Sequence, residues 1–259
     1  MLRFLQISIF LLQSIIVFPQ NNYYVSPYGS DENTGLSVAQ TWETVQKAAD
    51  VLQPGDSVFI MSGVYHEIVI PTNSGSPDNY ITYTVYPGDT AIIDGSTFAD
   101  TYLQFADRAV FDIKDGVSYI NVVGLHVRNS NATGIAARRG ATHVNFVNNY
   151  VTHCQAPGIS AGYGLPLGRG TNINAINNIV DSCALFTRES ISFRSVDTFD
   201  IAYNIVTNSP QLGIDAKSGC SNGRIFKNYV SNAWPGIYID AGHIDTAYGS
   251  QHNIHVFQN

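Results

Sequence analysis

The chain has 259 residues, 13% of them charged, with 22 glycines, 15 tyrosines and a formal net charge of −7. With a mean hydropathy near zero, it is too apolar for disorder and has ample material for one large core. The acidic balance argues against non-specific nucleic-acid binding, and three cysteines are too few for a disulfide framework.

The opening "MLRFLQISIFLLQSIIVFPQ" carries Arg3, an apolar run from Phe4 to Phe18 and a break at Pro19. This pattern predicts a secretory signal peptide over residues 1–20, with the mature chain starting near Asn21. A membrane anchor is the weaker alternative, because the run is short for a span and contains Gln6 and Gln13. In a secreted chain, Asn131 of "NAT" is a candidate glycan acceptor.

Next, "TWETVQKAADVL" places Trp42, Val45, Ala49 and Leu52 on one helical face after Thr41, a suitable N-cap, and "QPGD" stops it. A helix over 41–52 within a cap region of 21–54 is expected to cover the open end of whatever follows. Strands are expected in "SVFIMSGVYHEIVI" and "ITYTVYPGDTAIIDGS".

From there to the end the chain repeats. "VFDIKD" from Val110, "GIAARR" from Gly134, "GISAGY" from Gly158, "SISFRS" from Ser190, "GIDAKS" from Gly213 and "GIYIDA" from Gly236 follow one another at steps of 24, 24, 32, 23 and 23 residues. Each is followed by a second run, such as "FVNNYVTHC" or "AINNIVDSC", which aligns Asn149, Asn178, Asn204 and Asn228 in one column that Asn259 re-enters. Two short β-rich runs per unit, with no helical period, predict one coil of a parallel β-helix, so coils are expected over 55–259. The second and fourth positions of the first runs are apolar, Ile135 and Ala137 or Ile214 and Ala216 for example, and are expected inside. The Asn column suits an inward turn position where stacked amides bond up and down the ladder. The chain stops just after Asn259 with no capping segment, which reads as a piece of a longer protein.

The segments "YYVSPYGSDENTG", "QPGDSVFIMSGVYHE" and "VYPGDTAIIDGS", with the helix between the first two, resemble the N-terminal signature of secreted right-handed parallel β-helix proteins. The resemblance implies an all-β fold of a group that includes polysaccharide lyases and glycoside hydrolases. It says little about the reaction.

Function has to come from the outward columns. Third positions are Asp112, Ala136, Ser160, Ser192, Asp215 and Tyr238; fifth positions are Lys114, Arg138, Gly162, Arg194, Lys217 and Asp240, most of them basic. With coils about 4.8 Å apart, Arg194, Lys217 and Asp240 should be neighbours, with Asp215 and Tyr238 beside them. Such a wall suits an extended acidic polysaccharide, although Lys217 beside Asp240 also fits a plain solvated charge ladder.

The chemistry that needs this cluster is β-elimination of a uronate polymer. Cations neutralise the carboxylate, and a positioned base then removes the acidified C5 proton. Lys217 and Arg194 are the catalytic candidates, Asp215 and Asp240 the candidate ligands of a calcium cofactor, and Tyr238, His243 and Arg138 the candidate substrate contacts. Gly213 to Lys217 also resembles the Gly-x-x-x-Lys strand of family 9 pectate lyases, which implies a base role for Lys217; the "DDG"-type acidic run that holds calcium there is absent here. Two other readings are an inverting glycoside hydrolase, with Asp215 and Asp240 about 8 Å apart as acid and base, and a carbohydrate-binding β-helix without turnover. A monomer outside the cell is expected, with no nucleic-acid partner and no stable membrane association once the signal is removed.

Overall fold

A computed structural model of the chain describes residues 20–97, 108–162, 168–185, 189–240 and 250–259. The signal-like segment 1–19 and His243 lie outside these residues. No described helix is long and apolar enough to cross a membrane.

Three parallel sheets, of nine, seven and six strands, run the length of a β-solenoid. One coil contributes a strand to each, for example Ser118–Val123, His126–Arg128 and Thr133–Arg138. The second run of each repeat, read from sequence as a single stretch, is therefore bent into two strands. The bend falls at a residue with left-handed backbone, Asn148 (φ 57°), Asn177 (φ 55°), Tyr203 (φ 59°) or Lys227 (φ 54°), immediately before each member of the Asn column.

The column itself is the ladder its spacing predicts. Asn178 Oδ1 accepts from the Asn149 backbone N–H at 2.9 Å and from Asn149 Nδ2 at 3.0 Å, while Asn178 Nδ2 donates to the Phe146 carbonyl at 2.9 Å. Asn204, Asn228 and Asn259 repeat the pattern. Each buried amide thus satisfies turn groups that the sheets leave unpaired.

The inner columns also hold. Ile135, Ala137, Ile159, Ala161, Ile191, Phe193, Ile214 and Ala216 are all fully buried in one continuous core. The glycine that opens most repeats is required by close approach: a Cβ on Gly213 would lie 2.4 Å from Val230 Cγ1 and 2.5 Å from the Gly236 carbonyl. Where Ser190 replaces it, its hydroxyl is taken up by Ser209 at 2.9 Å.

The N-terminal part differs from expectation in two ways. Strand Asn22–Val25 pairs in parallel with Ser57–Ile60, so the nine-stranded sheet starts before residue 55. The helix is shorter than predicted, Val45–Val51, with Thr44 and not Thr41 as N-cap; the Thr44 hydroxyl accepts from the Lys47 N–H at 3.1 Å. Trp42 is unavailable to the helix because its backbone bonds to Tyr24 and Ser26 and its ring stacks on Tyr23, centroids 4.6 Å apart. Val45, Ala48 and Ala49 then bury against the coil core.

Candidate functional site

The six-stranded sheet carries the predicted polar face, in the predicted register. Arg194 pairs with Lys217, and Lys217 with Asp240; Ser192 pairs with Asp215, and Asp215 with Tyr238. The face is not the solvated wall that alternation alone suggested. Asp112, Ala136, Ser160, Ser192 and Asp215 are each at most 5% exposed. Part of the reason is visible in the ion pairs, because fifth-position cations fold back over third-position carboxylates.

Arg138 shows this most clearly. It was expected as an accessible substrate contact, but it is buried, with Nε 2.7 Å and Nη2 2.6 Å from the two Asp112 oxygens. A bidentate pair of this kind occupies the guanidinium face that would clamp a uronate. Lys114 approaches the same carboxylate at 3.7 Å.

Lys217 behaves similarly, with a different partner from the one expected. Its ammonium lies 2.9 Å from Asp215 Oδ2 and directly against Glu189 Oε1, and its side chain is 13% exposed. Glu189, at the start of strand Glu189–Arg194, stands just ahead of the repeat motif, so alternation did not say which way it faced. Packing turns it onto Lys217, one coil on.

The electrostatics follow from this burial. Desolvation lifts the Asp215 carboxyl to about 6; the Lys217 ammonium pulls it down but is outweighed, and the Glu189 and Asp240 carboxylates add to the rise. Burial alone would depress Lys217, but the hydrogen bond to Glu189 and the attraction of Asp215 prevail and hold the ammonium above its usual range. Asp215 Oδ1 and Ser192 Oγ are buried with no protein partner, and so could turn to a ligand. Tyr238 is 42% exposed beside this group.

The described donors do not by themselves form a calcium cage. Asp215 Oδ2 faces an ammonium, which leaves Oδ1 alone of that carboxylate, and no group of three or more His, Cys, Asp or Glu suited to a metal occurs among the described residues. The three cysteines are buried and free.

Comparison with known proteins agrees with this architecture. A curated relative, the uncharacterized protein YwoF of Bacillus subtilis (strain 168), is 27% identical over 200 residues, which is 74% of this chain and 42% of that protein. Among solved structures, pectate lyase Pel9A superposes with a TM-score of 0.63 at 15% identity, covering 91% of this chain and 58% of its own. A rhamnogalacturonan lyase gives 0.54 at 15% identity over 85% of this chain and 73% of its own. A GH136 lacto-N-biosidase from Eubacterium ramulus gives 0.52 at 14% identity over 85% and 56%. The chain thus spans less than half the length of YwoF and under two thirds of Pel9A, and at these identities the solved structures speak for fold alone. The family model described as the Pel9A-like, right-handed β-helix region matches residues 23–230, and the chain belongs to that family.

Proposed function

We propose that this β-helix cleaves a uronate-containing polysaccharide by β-elimination on its six-stranded sheet, with Lys217 as base. The supporting observation is the placement of Lys217: partly exposed, in register with Arg194, and oriented by Glu189 and Asp215. Arg194 would neutralise the substrate carboxylate and so acidify the C5 proton. Neutral Lys217 would take that proton as the C5–H bond breaks; the electron pair forms the C4–C5 double bond, and the glycosidic oxygen leaves, protonated by water. Because the ammonium is the favoured form in the free protein, the reaction would need either alkaline pH or the arrival of substrate to release the proton. The same reading takes residues 1–20 as an export signal, the protein as an extracellular monomer and the helix at 45–51 as the cover of the first coil.

A hydrolytic alternative rests on one observation. Asp215, at about 6, can hold a proton under mildly acidic conditions, as a general acid must, with Asp240 as the base. Product chemistry separates the readings. Polygalacturonate, alginate and rhamnogalacturonan would be incubated with the full chain, with and without a chelator, and the products examined. An ultraviolet-absorbing unsaturated end supports elimination, a saturated reducing end supports hydrolysis, and binding without product refutes both. A chelator-sensitive rate would assign calcium to a site completed by substrate. Lys217→Arg keeps the positive charge but cannot deprotonate, so it should fold normally and yield no unsaturated product. Elimination at a near-normal rate in Lys217→Arg would overturn the assignment.

A further inference from the structure

The nine-stranded sheet carries a groove of about 410 Å³ on its outer face, whereas Lys217 lies on the six-stranded sheet. It spans the strands Gly170–Ile176, Val196–Ala202, Ser221–Phe226 and His252–Phe257. That volume lies within the roughly 300–1,000 Å³ typical of small-molecule sites, and four strands extend the groove by about 14 Å along the coil axis.

Its shape has a backbone cause. Each of these strands holds one residue in left-handed conformation: Asn172 (φ 57°), Thr198 (φ 57°), Asn222 (φ 52°) and Asn253 (φ 52°). Asparagine tolerates this geometry, whereas β-branched Thr198 adopts it at a cost. Two positions further along each strand, Asn174, Asp200, Arg224 and His255 stand in register. The two sets form parallel polar columns, and the groove runs between them.

Several groups lining the groove are already held in place. Asn174 donates to Asn145 at 2.9 Å and accepts the Asp200 N–H at 2.9 Å. Arg224 grips Asp200 through Nε at 2.8 Å and Nη2 at 2.5 Å, and its guanidinium lies over the Phe226 ring, 5.5 Å from the centroid. Asn253 donates to Asn222 at 2.7 Å. Little ordering entropy therefore remains to be lost on binding.

The charges decide the ligand. Asp200 and Arg224 cancel, so beside the His255 imidazole the groove presents amide, carboxylate and guanidinium atoms with little net field for a polyanion. A peptide adding to the sheet would pair beyond its end strand His252–Phe257 and not lie across the face of four strands, and apart from Phe199 and Gly223 the residues lining the groove carry polar side chains. An uncharged chain dense in hydroxyls, each both donor and acceptor, suits the columns, and its units can repeat along the axis as the coils do. We propose that this groove binds an uncharged run of sugar units lying along the coil axis, independently of what happens at Lys217.

The test is calorimetric titration of the full chain with xylohexaose, β-1,4-galactohexaose and mannohexaose, with hexagalacturonate and a polar hexapeptide as comparators. At least one uncharged hexasaccharide should bind, and more tightly than either comparator. Arg224→Ala and Asp200→Ala should each weaken it tenfold or more, while Lys217→Arg leaves it unchanged. Arg224→Gln removes the charge but keeps a polar side chain, and covers the case in which the alanine variant folds poorly; it should weaken binding similarly. The inference is overturned if no uncharged hexasaccharide binds, if hexagalacturonate or the peptide binds better, or if the Arg224 variants bind as the parent does.

Discussion

Replacing Lys217 with methionine tests the site as a buried ion cluster. From the strand pattern alone, Lys217 would point outward and its loss would leave the fold intact. In the structure it is 13% exposed and neutralises Asp215, whose side chain is 1% exposed, and Glu189. Removing one partner of a buried pair leaves uncompensated charge and typically costs about 3–5 kcal/mol. The cost should depend on pH with a definite sign. Asp215 binds its proton more tightly when folded, so its contribution to stability is fully present below the ordinary 3.8 and is lost as pH rises through about 6. That interval corresponds to about 3 kcal/mol at ~1.4 kcal/mol per pH unit. In Lys217→Met the attraction is gone, the Asp215 carboxyl rises further, and the window moves upward. Urea denaturation should therefore show the full loss at about pH 8 and roughly half of it at about pH 5, where Asp215 carries a proton and needs no counter-ion. Lys217→Met/Asp215→Asn should recover about half of the loss at pH 8, because Glu189 still lacks its counter-ion. A loss below about 1 kcal/mol at alkaline pH, or one equal at both pH values, would refute the buried cluster.

Three further outcomes follow from particular contacts. If Lys217 is the base, elimination should increase toward alkaline pH, and Glu189→Gln, which removes the first of the attractions that raise the ammonium, should move that limb of the pH–rate profile to lower pH; an unmoved limb would mean Glu189 does not tune Lys217. Asn178→Ala should cost about 2–5 kcal/mol in urea melts, because it strands the buried Asn149 N–H and Phe146 carbonyl, and a loss under 1 kcal/mol would deny the ladder its role. Gly223→Ala would place a Cβ 2.1 Å from the Phe199 ring, so it should destabilise by about 1–3 kcal/mol, and Phe199→Leu in the same chain should relieve part of that.

How much was legible in sequence depended on whether a feature repeats. The inner apolar positions and the Asn column recur at each coil, so stacking had one consistent solution, and the registers Arg194–Lys217–Asp240 and Ser192–Asp215–Tyr238 followed from counting. The helix start escaped because Thr41 and Thr44 are equally good N-caps by type, and only the pairing of Trp42 with Val25 and Tyr24 chose between them. The site escaped in part for a similar reason. Period-2 alternation says which face a side chain leaves from, but not what it meets after its rotatable bonds. Arg138 was therefore free to fold onto Asp112, and Glu189, outside the repeat, to reach Lys217 across a coil. Sequence alone determined the solenoid, since a 24-residue repeat cannot bury its apolar side except by stacking. Only the tertiary structure decided the protonation of the cluster, because desolvation and ion pairing depend on distances between side chains from different coils.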